Sequence, residues 1–538
     1  MTSGTIGNRE GLHTRRGGSP YPPRRSARIA TGAAGTETRR APRSGFKRRV
    51  TCIGTLLLAL AALPSCAPQA VRVEPPAEVP EAFSASGGGP VPDAWWTALD
   101  DAALDRLVEE ALRGNFTIRQ AWDRLDQARA LAEQAGAPLL PALDGTAEAA
   151  RSVRETTVMP RTYTTEVAFG LAASYEVDLW GRVRSTADAA RLDAYASAAD
   201  LQSAAVTLAA QVAATWYQLV EAYGQLRLLS EQIETNEKYL DLIQVRFGQG
   251  LVQASDVLQQ KQLVEETRGQ RVRVESAVEV LRHQLAVLVG RPPRALEAAV
   301  PEALPALPPL PPTGLPAALV RRRPDVRAAE LRVQAADRRV AAAVADQFPR
   351  LSLTVSAETS AERVRDLFDN WMANVAANVV APLFDANRRG AEVDRTRALV
   401  SERLNAYGGR VLVSLQEVED ALVQEAEQAR FVQSLAEQLR LAREATNRVR
   451  DVYSTTGTDF LRYLTTLLGY QRLQRTYLSA ERDLVLFRID LYRALAGGWA
   501  LPRPARATVG GPREPVAEPA VERNASGRAP DDGGPDDD

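Results

Sequence analysis

The sequence is poor in the residue types that carry much of protein chemistry. Its 538 residues include two cysteines, Cys52 and Cys66, and two histidines, His13 and His283. Both cysteines lie near a single apolar run, so a disulfide framework and a cysteine-based zinc site are excluded. The two histidines are far apart in the sequence and neither belongs to a charge-relay pattern. We therefore expect no metal site and no bound cofactor.

An excess of charge of one sign is also missing. The net charge is −1, and lysine occurs at only three positions, so the basic residues are almost all arginine. No overall field favours nucleic acid as a partner. The sequence also lacks a phosphate-binding glycine-rich loop, a His-Glu-x-x-His motif and a nucleophile elbow. These absences argue against an enzyme.

Long apolar runs are absent, and the one apolar segment, residues 50–63, is too short for a helix of the ~20 residues that span a bilayer. Lys47-Arg48-Arg49 precedes it and Leu63-Pro64-Ser65-Cys66 follows, an order typical of a secretory signal. The last four residues resemble the bacterial lipobox. This resemblance implies that Cys66 carries a covalent lipid, diacylglycerol with N-palmitoyl. The alternative is a plain signal peptide with an incidental cysteine.

The rest of the chain contains an internal duplication. Phe247 precedes Asp256-Val257-Leu258 by nine residues, and Tyr453 precedes Arg462-Tyr463-Leu464 by the same distance, an offset of 453 − 247 = 206 residues. Each half has a helical stretch (99–136 and 315–347), a proline break, two strand-like segments and a long helical tract. The predicted domains are a leader with lipoprotein signal peptide (1–65), a lipidated linker (66–98), repeat 1 (99–300), a proline-rich linker (301–314), repeat 2 (315–500) and a disordered tail (501–538).

Hydrophobic periodicity predicts both strands and long helices. Apolar residues occupy alternate positions in 163–177 and 351–358, more loosely in 371–383 and most weakly in 142–153. Residues 183–247 contain no proline and would form a helix of about 100 Å. A seven-residue apolar repeat in this tract predicts a coiled-coil seam; its members are Leu219, Leu226, Ile233, Leu240 and Phe247.

Four amphipathic strands cannot close a membrane barrel, because the smallest barrels have about eight strands and lipid does not tolerate open edges. A membrane location would therefore require oligomers with 8, 12 or 16 strands. The alternatives are a soluble sandwich with one solvated face and an ordinary long soluble coiled coil.

Several tracts resemble the signatures of the TolC/OprM-type outer-membrane efflux proteins. They are 174–184 (SYEVDLWGRVR), 246–252 (RFGQGLV), 321–330 (RRRPDVRAAE), 348–353 (FPRLSL) and 379–389. The resemblance implies a mainly α chain with a small membrane β part, built of two structural repeats. It further implies a homotrimer with a 12-stranded transmembrane β-barrel and a 12-helix coiled-coil α-barrel. The lipobox favours the lipoprotein branch, whose partners are a periplasmic adaptor protein, an inner-membrane RND-type pump and outer-membrane lipid.

The same resemblance assigns a gate to the periplasmic tips of the helices. Asp256 matches a gate carboxylate of the family, Tyr453 a gate tyrosine and Leu461 a constricting leucine. The sequence departs from the family at Thr458, where some members carry Arg, and at Arg462 and Thr465, where members often carry Asp. Arg462 would therefore oppose cations if it faced the pore. The alternative for Asp256 is a helix N-cap.

The main functional hypothesis is a passive exit duct of a tripartite efflux pump for drugs, toxic organics or metal ions. The protein would be lipid-anchored in the outer membrane, with a long periplasmic part. The alternatives are the outer-membrane duct of a type I protein secretion system and a structural coiled-coil lipoprotein without a pore.

Overall fold

The computed structural model describes residues 74, 76–88, 93–296, 299–456 and 459–503. The predicted signal peptide, Cys66, Gly457, Thr458 and nearly all of the predicted tail lie outside these ranges. Within them the chain is mainly helical and carries a small antiparallel sheet, which confirms the predicted fold class at this level. None of the described helices is both long enough and apolar enough to cross a membrane.

The described elements follow the same order in both halves of the chain: two helices, two strands and two long helices. The helices are α1 (Ala102–Gly114), α2 (Phe116–Gly136), α3 (Arg182–Gly248), α4 (Ala254–Leu288), α5 (Pro316–Arg322), α6 (Pro324–Ala345), α7 (Arg388–Thr456) and α8 (Phe460–Leu495). The strands are β1 (Ala142–Thr156), β2 (Met159–Val177), β3 (Arg350–Ala361) and β4 (Trp371–Val380). Residues 299–315 between the halves form neither helix nor strand.

Three boundaries differ from the sequence-based expectation. The helical stretch 99–136 is divided at Asn115, whose extended backbone ends α1 and whose side chain caps α2. The stretch 315–347 is divided at Arg323, because the residue before a proline avoids the helical conformation. β4 ends at Val380 rather than near Leu383, since Pro382 cannot donate a ladder hydrogen bond.

The two longest helices, α3 with 67 residues and α7 with 69, run the full length of the helical body. At 1.5 Å per residue each measures about 100 Å. Gly250 ends the first of them, because its φ of 74° allows the left-handed turn in which the Leu251 N–H reaches the Arg246 carbonyl at 3.0 Å. α4 then returns antiparallel to α3, and α8 returns along α7.

The shorter helices are stacked end to end beside these two. Asn115 caps the first turn of α2 and also donates from Nδ2 to the Leu288 carbonyl at the end of α4, at 2.8 Å. Arg323 plays the equivalent part in the second half, where it donates to the Ala494 carbonyl at the end of α8, at 3.1 Å. Each chain therefore contributes four helical rods, of which two are continuous and two are jointed at mid-height.

The sheet has the order β1-β2-β3-β4, and all its pairs are antiparallel. Phe169 pairs with Ala147 on one side and with Thr359 on the other, and Thr359 pairs with Trp371. Apart from a shift at the β1–β2 turn, where Thr156 pairs with Met159, this register joins odd-numbered residues to odd-numbered residues. Outside that turn, the odd positions of the four strands therefore lie on one face of the sheet.

Candidate functional site

The odd-numbered face of the sheet is apolar and exposed. Its members include Leu143, Tyr163, Phe169, Leu171, Leu353, Val355, Trp371, Val375 and Val379, each at least 39% exposed. The even-numbered face carries mainly serine, threonine, asparagine and carboxylates, among them Asp144, Glu148, Glu166 and Glu358. Both β1 and β4 have one unpaired edge in the described chain. The backbone groups along these two edges are free to pair with further strands.

At the first tip, Asp256 stabilises its own helix. Gln253 is the N-cap of α4, and its backbone N–H donates to Asp256 Oδ2 at 3.1 Å. Asp256 is therefore the third helical residue of a capping box and not the N-cap that was considered as its alternative role. Among the described residues the Tyr453 hydroxyl has no hydrogen-bond partner, so Asp256 and Tyr453 are not bonded to each other.

At the second tip, Tyr453 is part of a small aromatic core. It is 1% exposed, and its ring stacks on Tyr463 at 5.8 Å between centroids and lies 5.7 Å from Phe460. Burial, followed by a hydrogen bond with Tyr239, raises the pKa of Tyr463, so this phenol stays neutral at any physiological pH. Ile243 and Leu263 from the first tip complete the cluster, so both tips share one core.

Leu461 and Arg462 have the opposite character. Leu461 is 64% exposed and lies outside the aromatic core, on a face of α8 that Thr465 and Leu468 continue at helical spacing. The Arg462 side chain is 70% exposed and forms an ion pair with Asp459 at 3.8 Å. Because α8 packs between α3 and α7, its exposed faces look toward either side of the helical layer and not toward a neighbouring helix.

Arg246 connects the two tips, a role that the sequence did not reveal. Its guanidinium donates to the carbonyls of Tyr453 and Ser454 at 3.3 and 3.1 Å, in the last turn of α7. The same group lies 4.8 Å from the centre of the Tyr453 ring. The negative end of the α7 dipole and the face of the Tyr453 ring both attract a cation at this position. The sequence marked Arg246 only as a member of the family-like tract 246–252. Its partner Tyr453 is 207 residues away, so no local pattern could indicate the contact.

In the part of the chain that the structure describes, no three side chains of His, Cys, Asp or Glu are grouped so that they could hold a metal ion. The two tips are held together by the shared aromatic core, the capping box at Asp256 and the hydrogen bonds of Arg246, while Leu461 and Arg462 remain exposed.

An elongated helical body that ends in an amphipathic sheet with open edges is typical of an outer-membrane channel subunit. The family model of outer membrane efflux proteins matches residues 107–291 and 315–497, once in each half. The chain is 32% identical to the pyoverdine export outer membrane protein OpmQ of Pseudomonas aeruginosa over 420 residues, 75% of this chain and 87% of that protein.

Two further comparisons agree. The chain is 26% identical over 465 residues to the probable outer membrane lipoprotein SilC of Salmonella typhimurium, 84% of this chain and 99% of that protein. A solved structure of the outer-membrane channel OprN matches with a TM-score of 0.72 and 28% identity, over 79% of this chain and 99% of that one. The chain belongs to the outer membrane efflux protein family. It is an efflux channel of the outer membrane, in a family of channels and not of enzymes.

Proposed function

We propose that three copies of this chain form a closed duct that carries small molecules passively across the periplasm and the outer membrane, as part of a tripartite efflux pump. The observation that carries this proposal is the sheet, which has one apolar face and free edges at β1 and β4. In lipid, each open edge would leave backbone groups unpaired. Pairing β4 of one chain with β1 of the next removes all edges, and three chains give 12 strands.

The helical body supports the same ring. α4 packs on α3, α3 on α8 and α8 on α7, so that α4 and α7 are the two edges of the layer. Both edge helices expose large apolar side chains, such as Val272 and Val280 on α4 and Leu412 and Val423 on α7. Two different apolar edges on one subunit favour head-to-tail contacts, and such contacts close into rings. Three chains would then supply a tunnel of 12 helices.

The gate of this duct would lie at the tips, with Leu461 as the constricting side chain. Its exposure and its absence from the aromatic core are what a ring of three leucines around an axis requires. Hydrophobic rings of this kind close pores by excluding water. Asp256, Tyr453 and Arg246 would act indirectly, because they fix the ends of the helices that carry the ring.

The segment 76–88 supports a lipid anchor at Cys66. Pro76 packs on Gly408, where a Cβ would lie 2.6 Å from the proline Cγ, and Ser84 donates to Glu419. Followed from Ser84 back to Pro76, the segment therefore runs along α7 toward Arg388, where this helix begins next to the sheet. From Gly408 to Arg388 is about 30 Å of helix. The ten residues from Pro76 back to Cys66 reach about 33–36 Å when extended, enough to bring a lipid on Cys66 to the membrane surface.

The partners of this duct would be a periplasmic adaptor and an inner-membrane pump of the RND type, which supplies the energy. The two tips, which lie farthest from the sheet, are the surface that such partners could reach. The names of OpmQ as an export protein and of SilC as a probable lipoprotein support an efflux system with a lipid-anchored duct.

The proposal predicts that protein purified from outer membranes in detergent has the mass of three chains and forms pores in planar bilayers. Native mass spectrometry and single-channel recording test these two points. The tripartite assignment predicts that an adaptor co-purifies after mild crosslinking in cells. A monomer without strand signal in circular dichroism would instead favour the structural coiled-coil lipoprotein.

A further inference from the structure

A cleft of about 750 Å³ lies at mid-height of the helical layer, where α2 is stacked on α4. All four rods contribute to its wall: the α2–α4 junction, α3, α6 and α7. Its volume is within the range of 300–1,000 Å³ that is usual for small-molecule sites. Neither the gate at the tips nor the sheet includes any of its residues.

The cleft lies on the side of the layer opposite to the segment 76–88. On α7 the residues that line it are Arg403, Ala406 and Arg410. Gly408 and Glu419, which contact Pro76 and Ser84, lie roughly 140° and 160° around the helix from Arg403. In the proposed duct the segment that leads to the lipid anchor must be outside, because inside it would block the passage. The cleft then faces the lumen.

The charges in the cleft favour an anion. Three guanidinium groups and two carboxylates line it, and the carboxylates already have partners: Asp200 pairs with Arg332, and the buried Arg323 holds Asp325 by two hydrogen bonds of 3.1 and 2.8 Å. Arg410 forms an ion pair with Asp325 at 3.7 Å but donates no hydrogen bond to it. The nearest carboxylate to Arg403 is that of its exposed neighbour Glu402, at 3.9 Å.

Arg403 and Arg410 are therefore two available donors. Neither donates a side-chain hydrogen bond within the described ranges, and their side chains are 43% and 49% exposed. They are two helical turns apart, about 10 Å along α7. Across the cleft, Leu208, Val287 and Leu288 supply an apolar wall. Guanidinium forks on one side and aliphatic groups on the other match a molecule with an apolar body and separated anionic groups.

We propose that this cleft is a transit site for amphipathic organic anions, in which Arg403 and Arg410 bind the carboxylate or sulfonate groups. The luminal position of the site rests on the proposed duct, whereas binding itself does not. The site would give the duct a preference for organic anions at mid-height, independent of any selection at the tips.

Binding is tested with the full mature protein in a nonionic detergent and with 8-hydroxypyrene-1,3,6-trisulfonate as the probe. This molecule is aromatic and trianionic, so it fits the cleft chemistry but does not enter neutral micelles. Fluorescence anisotropy should show saturable binding that weakens with salt. Arg403→Gln and Arg410→Gln should each reduce the affinity by about tenfold, which is the value of one charge-assisted hydrogen bond.

Arg397→Gln is the matched control, because Arg397 is also an exposed arginine of α7 but lies about 120° around the helix from Arg403. It should leave the affinity unchanged. The absence of saturable binding to the unmodified protein, or an equal loss in all three variants, would overturn the proposal. If a glutamine variant does not assemble, Arg403→Lys keeps the charge but loses the fork, and should still weaken binding measurably.

Single-channel recording separates the site from the duct. The probe should reduce the current through open channels, and the two glutamine variants should relieve this block. Conduction that continues unchanged while the probe is bound would contradict the luminal position. Arginine-dependent binding by a protein that forms no pores would refute the proposed duct and leave the anion site standing.

Discussion

Arg323 shows how much one side chain can organise in this fold. It is 7% exposed and donates to Asp325, to Glu417 Oε2 at 2.7 Å and to the carbonyl of Ala494. The guanidinium thereby joins α6, α7 and α8 at one point. A buried cation with these partners is strongly destabilising to disrupt, because removal of one partner leaves charge unpaired in a medium of low dielectric.

Asp325 gives this network a dependence on pH. Burial alone would raise its pKa, but the hydrogen bonds and charge of Arg323, helped by Arg410, lower the pKa below its ordinary value of 3.8. Its contribution to stability is therefore present above about pH 4 and is lost as pH falls through the lowered pKa. Asp325→Asn should cost about 3 kcal/mol at pH 7, and this difference should shrink below pH 4.

Thermal unfolding followed by circular dichroism between pH 7 and pH 3 measures this effect. Asp394→Asn, which removes an exposed ion pair with Arg397, should cost at most about 1 kcal/mol and serves as the control. A loss in Asp325→Asn that does not change between pH 7 and pH 3 would show that the carboxylate charge is not its origin.

At the gate, Leu461→Ala should raise the resting single-channel conductance severalfold, because three smaller side chains leave a wider and wetter constriction. Leu468→Ala is the control: this leucine lies on the same face of α8, about 10 Å farther from the tip, and should have a weaker effect. Arg462→Asp should shift selectivity toward cations if Arg462 faces the pore. A conductance unchanged by Leu461→Ala would remove this residue from the gate.

At the scale of elements, the sheet makes a direct prediction about its two faces. Phe169 lies on the apolar face, and Ala168, at nearly the same depth, lies on the polar face between Glu148 and Ser360. Phe169→Arg should destabilise the folded sheet by about 2–4 kcal/mol near the middle of the bilayer. In Ala168→Arg the new guanidinium instead lies beside the carboxylate of Glu148. The yield of heat-modifiable trimers in outer membranes should fall in the first variant and hold in the second. Equal yields would mean that lipid does not contact this face.

The elements themselves were largely predictable, because periodicity is a local signal. The alternation in 163–177 and 351–358 corresponds to β2 and β3, and the tract 183–247 corresponds to α3. The break at Arg323 had a local signal in Pro324, but the contacts that hold the two joints were not predictable, because Asn115 and Arg323 donate to carbonyls 173 and 171 residues away. The same limit applies to the tips: the exposure of Leu461 and the contact of Arg246 with Tyr453 depend on packing between the two halves.

At the scale of the whole molecule, a lipid on Cys66 would attach the proposed duct to the membrane independently of the sheet. Replacement of Cys66 by Ser should abolish incorporation of radioactive palmitate in growing cells. Cys52→Ser removes the other cysteine, which lies within the apolar run of the predicted signal peptide, and should leave labelling unchanged. Label that persists in Cys66→Ser would refute the lipid anchor.

The jointed rods have a mechanical consequence for the assembled tube. A continuous helix such as α3 resists bending, because a kink breaks several ladder hydrogen bonds at once. At the joints no helical ladder continues from one segment to the next, and the hydrogen bonds of Asn115 to Leu288 and of Arg323 to Ala494 cross there in its place. In the proposed trimer, six of the 12 helical rods would thus have a joint at mid-height and six would be continuous. The jointed rods would let the tube widen at the tips, while the continuous rods keep its shape near the sheet.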